Sequence, residues 1–65
     1  MRRIGEVMRI LPHGTVMIWD TESKRQFPCY DVRPHRRPDV GDTVSFDLDD
    51  TQSVAVDLRR LDEST

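Results

Sequence analysis

The sequence predicts a small all-β domain built from five short antiparallel strands. Apolar and polar residues alternate with period two, turn-forming residues separate the apolar segments, and no segment shows a helical period. The 65 residues form a single predicted domain, 1–65, whose core must be thin at this size. Closing the sheet removes exposed strand edges, so a five-stranded barrel is the expected architecture.

The two clearest strands lie near the C-terminal end, at residues 44–49 and 54–59. Every second residue there is apolar, which predicts six inward-facing side chains: Val44, Phe46, Leu48, Val54, Val56 and Leu58. Residues 49–53 are rich in turn formers, so the two strands are predicted to pair as an antiparallel hairpin. Residues 59–65 are expected to form a partly frayed tail.

The N-terminal half predicts two further strands, at residues 4–10 and 15–19, around a turn at residues 12–14. Gly5 is expected to produce a bend or bulge in the first strand. In the second, Val16 and Ile18 are expected to face one side, and three residues are expected to face the other: Thr15, Met17 and Trp19.

A weaker third strand is predicted at residues 26–32, after a turn at residues 20–23. Pro28 cannot donate a backbone hydrogen bond, which predicts an edge strand or a bulge there. Residues 33–38 contain two prolines and are predicted to form an extended loop. Five strands in so short a chain favour a small closed barrel, which we expect to be of the OB (oligonucleotide/oligosaccharide-binding) type.

The charge is unevenly distributed although the net charge is only −2. Arginine and lysine are concentrated near the start and at residues 24–37, whereas every charged side chain in residues 39–57 is acidic. This pattern fits two surface patches of opposite charge, and it also fits an ordinary solvated surface. The pattern leaves both interpretations open.

Several classes of function are not expected. Cys29 is the only cysteine, and its spacing from His13 and His35 fits no zinc motif, so no metal or other cofactor is predicted. No partnered nucleophile is evident, and the protein is not expected to be an enzyme. No apolar run approaches a membrane span, no signal peptide is evident, and a reducing cytoplasmic location is expected.

Five segments of the chain resemble the cold-shock domain family. Two of them align with its RNA-binding motifs: residues 13–18 with Lys-Gly-Phe-Gly-Phe-Ile, and residues 26–30 with Val-Phe-Val-His-Phe. The other three are Gly5-Glu6-Val7, residues 40–46 and residues 53–58. The resemblance implies a cold-shock-like OB barrel that binds single-stranded nucleic acid by stacking bases on exposed aromatic side chains.

The resemblance also shows how far this chain departs from the family. Arg9 stands where the family has tryptophan, Thr15 and Met17 where it has phenylalanine, and Cys29 where it has histidine. Phe27 and Tyr30 keep its stacking positions, and Trp19 and a basic loop offer further contacts. The expected nucleic-acid-binding residues are therefore Arg9, His13, Thr15, Met17, Trp19, Phe27, Tyr30, Arg33, Arg36 and Arg37.

Two functions follow from these observations. The first is a module for single-stranded RNA or DNA that regulates transcription or translation. The second is a protein-interaction module that docks on a nucleic-acid machine, RNA polymerase or the ribosome, with little nucleic-acid binding of its own. The first is preferred because the family's binding face is expected to persist in weakened form, which is an argument from fold alone.

Overall fold

The computed structural model describes residues 2–33 and 37–61. Within them lie five strands: β1 (Arg3–Ile10), β2 (Val16–Asp20), β3 (Arg25–Cys29), β4 (Thr43–Asp49) and β5 (Val54–Arg60). All pairings are antiparallel, in the order β3–β2–β1–β4–β5, and the two end strands also contact each other. The sheet curls into a half-barrel, which confirms the predicted five-stranded, all-β, OB-like architecture.

The core lies inside the curl and is built mainly from aliphatic side chains. Phe46 and Phe27 are its largest members: Phe46 is fully buried, and Phe27 is 5% exposed. The rest of the buried apolar set is Val7, Val16, Ile18, Cys29, Val44 and Ala55. Because burying one such larger side chain stabilises a fold by about 1.5–3 kcal/mol, this short chain depends on nearly every member.

Gly5 lies at the centre of the sheet, where β1 pairs with β2 on one side and with β4 on the other. A β-carbon at this position would lie 2.5 Å from the backbone oxygen of Trp19, 2.8 Å from Cγ2 of Ile18 and 3.0 Å from Cε1 of Phe46. Real Cβ atoms do not come so close to a backbone oxygen. The sheet can therefore pack this tightly only because residue 5 has no side chain.

The bulge expected at Gly5 lies further along β1. The pairing with β2 runs from Val7 opposite Ile18 to Arg9 opposite Met17, so Met8 is the extra residue. Met8 is 44% exposed. A bulge increases the local twist of a strand, and this one curls the far half of β1 toward the core.

The second bulge changes which side chains of β5 face inward. Ser45 pairs with Arg59 but Asp47 pairs with Val56, so β5 has one extra residue in between. Asp57 lies there with a positive φ of 54°. Before Asp57, the alternation of inward-facing and outward-facing side chains is the reverse of the expected one: Ala55 is buried, whereas Val54 and Val56 are only half-buried. The expectation that Val54 and Val56 face inward and Ala55 outward was wrong.

The β4–β5 turn and the edge position of β3 agree with expectation, whereas the ends of β3 and β5 differ from it. Ser53 N–H donates to the Asp49 carbonyl at 2.7 Å and closes the predicted β4–β5 turn. Pro28 lies on β3, which is at one end of the sheet order, as predicted for an edge strand. β3 ends at Cys29 rather than at residue 32, and β5 continues to Arg60, so residues 59–60 are paired rather than frayed. Residues 62–65 lie outside the described part.

Asp20 is a buried carboxylate at the end of β2 that holds the following turn. Its side chain has no solvent exposure, and it accepts hydrogen bonds from Arg3 Nη1 at 2.8 Å, from Ser23 Oγ at 2.8 Å and from Glu22 N–H at 3.1 Å. Burial by itself would raise the pKa of Asp20. The bonds from Ser23 and Glu22 and the Arg3 guanidinium outweigh burial and hold the pKa below its ordinary value of 3.8.

Nothing in residues 2–33 and 37–61 forms a helix of the length and apolarity that crossing a lipid bilayer requires.

Gly5→Ala is expected to destabilise the fold by about 1–3 kcal/mol, because the added methyl group meets a backbone oxygen that cannot move aside. Chemical denaturation followed by Trp19 fluorescence measures the effect. Glu6→Ala changes the adjacent, exposed position of the same strand and is expected to stay within about 0.5 kcal/mol of wild type. Equal stability of Gly5→Ala and wild type would show that the close approach does not constrain the fold.

Asp20→Asn is expected to cost about 1–3 kcal/mol at neutral pH, because Arg3 and Ser23 lose their ionised acceptor. The folded-state pKa of Asp20 is lowered, so its stabilisation is present above pH 3.8 and is lost as the pH falls through the folded value. Urea denaturation from about pH 6 to about pH 2 should show a smaller difference between wild type and Asp20→Asn in acid. A difference that is constant with pH would contradict this role.

Candidate functional site

The outward side of β1, β2 and β3 carries two rows of side chains that cross the strands. One row is Arg9, Met17 and Pro28, and the next is Glu6, Trp19 and Gln26. We call these six residues the β2 face. Neighbouring strands lie about 4.8 Å apart and successive outward residues about 7 Å apart, so the rows are continuous. Met17 and Trp19 are half-buried, and Arg9, Glu6 and Gln26 are exposed.

Tyr30 follows β3 directly and is 67% exposed. It lies four residues along the chain from Gln26, which is the neighbour of Trp19. At about 3.3 Å per residue and about 4.8 Å between strands, the Cα atoms of Tyr30 and Trp19 are about 14 Å apart. Met17 and Pro28 occupy the row between the two aromatic residues. Trp19 and Tyr30 therefore mark the two ends of one surface.

Phe27 is not part of this surface, and its assignment as an exposed binding residue was wrong. It is only 5% exposed and lies opposite Ile18 in the core. Because side chains alternate across a strand, Phe27 and Cys29 face inward together, and Gln26 and Pro28 face outward. Within the segment that resembles the second cold-shock motif, Tyr30 is exposed, whereas Phe27 and Cys29 are buried. The inward-facing residues Ile18 and Val16 pair with Phe27 and Cys29, so the outward position between these two is Pro28.

Thr15 was also expected on the binding surface, but it is only 4% exposed. The turn before β2 folds back at this point: the Leu11 N–H donates to the Thr15 carbonyl at 2.8 Å, and the Gly14 N–H donates to the Leu11 carbonyl at 2.9 Å. The closed turn leaves Thr15 little access to solvent. His13 is exposed within the same turn, beside the β2 face rather than on it.

Four arginines of the described chain form ion pairs with carboxylates. Arg2 pairs with Asp57 at 2.8 Å and with Asp47 at 3.4 Å. Arg3 holds Asp20, Arg60 lies 3.6 Å from Asp42, and Arg59 lies 3.5 Å from Asp57. The acidic segment from residue 39 to 57 is thus partly neutralised by arginines from the two ends of the chain, and it is not a purely acidic patch.

The remaining five cations have no carboxylate within ion-pair distance in the part of the chain that the structure describes: Arg9, Lys24, Arg25, Arg33 and Arg37. They lie on β1, in the β2–β3 turn, on β3 and in the loop after β3. The Arg25 guanidinium lies 5.7 Å from the centre of the Phe27 ring and covers its outer end. Sequence reasoning missed Lys24 and Arg25 as members of this group. Arg36 and His35 lie outside the described residues.

A pocket of about 270 Å³ opens where the chain leaving β3 passes β5. We call it the seam pocket. Val32 and Leu58 line it and also pack against the core, although most of its lining surface is polar. Its other lining residues are charged: Asp31, Arg33, Asp57 and Arg59. No pattern in the sequence indicated this pocket, because the bulge at Asp57 brings its two sides together.

Cys29 and the histidines supply no metal centre among the described residues, where no group of three or more His, Cys, Asp and Glu side chains is placed to hold an ion. Cys29 is fully buried, and burial raises the pKa of its thiol. The thiolate, which is the reactive form of cysteine, is therefore disfavoured. Cys29 acts as a small core residue.

Comparison with protein-family models, with curated proteins and with solved structures found no match to this chain. The geometry of the site is therefore the basis for assigning a function.

Proposed function

We propose that this protein is a non-enzymatic module that binds single-stranded RNA or DNA on the β2 face and Tyr30, and thereby regulates transcription or translation. The observation that carries the proposal is where the unpaired cations lie. Among the described residues, the five cations without a carboxylate partner lie on β1, on β3, in the turn between β2 and β3, or in the chain that follows Tyr30. By contrast, Arg2, Arg59 and Arg60 pair with carboxylates on the β4–β5 side of the sheet, and Arg3 holds Asp20 at the end of β2.

A surface that carries both aromatic and cationic side chains suits single-stranded nucleic acid in particular. Unpaired bases expose their ring faces, which stack on Trp and Tyr whatever the base, while arginine and lysine contact the phosphates. Trp19 and Tyr30 are separated by about two nucleotide steps, and Met17 and Pro28 offer an apolar surface to a base between them. We therefore expect the site to contact about three nucleotides.

The binding is expected to be weak. Each stacked base contributes about 1–3 kcal/mol, and burial of Phe27 leaves two aromatic platforms. Since a micromolar dissociation constant corresponds to about 8 kcal/mol, stacking must be supplemented by phosphate contacts. The affinity should therefore be micromolar or weaker at physiological salt, and it should fall as salt rises.

Docking on a protein of the transcription or translation machinery is the second candidate. The observation that favours it is the aliphatic character of the exposed apolar residues: Ile4 and Met8 are 45% and 44% exposed, and Met17 lies at the centre of the β2 face. Flexible apolar side chains suit protein contacts better than base stacking. Pull-down from lysate with and without nuclease separates the two: nuclease-resistant partners favour docking.

The direct test is titration of a pyrimidine-rich oligonucleotide into the protein, followed by quenching of Trp19 fluorescence. Quenching at low salt that is reversed by added salt is expected. Absence of quenching with micromolar protein at low salt would overturn the proposal.

Tyr30→Leu is expected to weaken oligonucleotide binding about tenfold, because it removes one aromatic platform but keeps an apolar side chain. The Trp19 quenching titration measures the change. Val40→Ala truncates another exposed apolar side chain, which is 60% exposed and is not one of the six residues of the β2 face, and should bind as wild type does. Equal affinities of Tyr30→Leu and wild type would remove Tyr30 from the site.

A further inference from the structure

We propose that the seam pocket takes one guanine base of the bound strand, so that a module with otherwise sequence-tolerant stacking prefers guanine at one position. This inference rests on the proposed function, because it requires a nucleic acid on the neighbouring face. It adds a base-reading site that no part of the β2 face supplies.

The chain path brings the pocket next to the stacking surface. Asp31, Val32 and Arg33 directly follow Tyr30, and all three line the pocket. Val32 packs against the core, whereas Asp31 and Arg33 are exposed at the rim. A strand whose base stacks on Tyr30 therefore has its neighbouring nucleotide at the mouth of the pocket.

The size and walls of the pocket suit a single base. Pockets for drug-sized molecules have volumes of about 300–1,000 Å³, and this one is slightly smaller at about 270 Å³. Val32 and Leu58 supply apolar surface for a ring. The charged side chains of Asp31, Arg33, Asp57 and Arg59 line the same pocket and supply hydrogen-bonding groups for the edge of a base.

The polar groups match guanine because they include one free acceptor and one free donor. Guanine offers acceptors at O6 and N7, which arginine contacts in a bidentate manner, and donors at N1 and at the 2-amino group, which suit a carboxylate. The Asp57 carboxylate already accepts from Arg2 at 2.8 Å and lies 3.5 Å from Arg59. Within the described chain, Asp31 and Arg33 have no ion-pair partner, so they are assigned to the base.

Adenine fits this arrangement poorly. It has no proton at N1 and no 2-amino group, so the Asp31 carboxylate would face a nitrogen lone pair instead of a donor. A correct bidentate pair discriminates between bases by about tenfold or more. Guanine is therefore expected to be preferred over adenine by about tenfold at one position.

The experiment uses short oligothymidines that carry a single guanine, inosine or adenine, titrated against Trp19 fluorescence. Guanine should bind about tenfold more tightly than adenine, with inosine between them because it lacks only the 2-amino group. Arg33→Gln should reduce the preference, because it removes the bidentate contact to O6 and N7 but keeps the Asp31 carboxylate. Arg37→Gln removes the same charge from the same loop but does not line the pocket, so it should weaken all oligonucleotides equally and keep the preference.

The outcomes separate the two proposals. If no oligonucleotide binds the wild-type protein, the proposed function fails and the base preference fails with it. If all bind equally, or if Arg33→Gln and Arg37→Gln have the same effect, the guanine pocket is wrong while single-strand binding stands.

Discussion

At Gly5 the central strand lies so close to its neighbours that a β-carbon would be 2.5 Å from the Trp19 carbonyl oxygen. This approach is on the inner side of the sheet, between β1, β2 and the Phe46 ring. Together with the bulge at Met8, it lets the sheet curl until β3 and β5, at opposite ends of the strand order, touch. The curl encloses the core and directs Met17 and Trp19 outward, so the candidate binding face exists because residue 5 has no side chain.

The distribution of arginines follows from the same geometry. Arg2 and Arg60 are within reach of carboxylates on the β4–β5 side of the sheet, and Arg3 on β1 reaches Asp20 at the end of β2. Surface pairs of this kind contribute little each, but the Arg3–Asp20 pair is held by a fully buried carboxylate. The cations around β2 and β3 have no such partners in the described chain. A modest net charge therefore conceals an uneven distribution: the described cations without a carboxylate partner are concentrated around β2, β3 and the residues that follow, although Glu6 lies opposite Trp19 and Asp31 follows Tyr30.

The architecture was predictable from the sequence because period-two alternation and turn residues act locally. The two bulges were not, since they depend on how neighbouring strands pair. The extra residue at Asp57 reverses the alternation of β5, and so Ala55 rather than Val54 is buried. Phe27 was misassigned for a related reason: its place in a family motif was given more weight than its pairing with Ile18. Met17, Trp19 and Tyr30 were predicted to face outward, and they do.

We propose that the curled sheet presents β2, β3 and the residues just after them to a single-stranded nucleic acid. Backbone and indole chemical shifts of the labelled protein, recorded by NMR during titration with a short oligonucleotide, test it most directly. We expect the largest changes at Met17, Trp19 and residues 30–33, and none in the β4–β5 turn at residues 49–53. Changes centred on Ile4, Met8 and Leu61, or spread evenly over the surface, would contradict it.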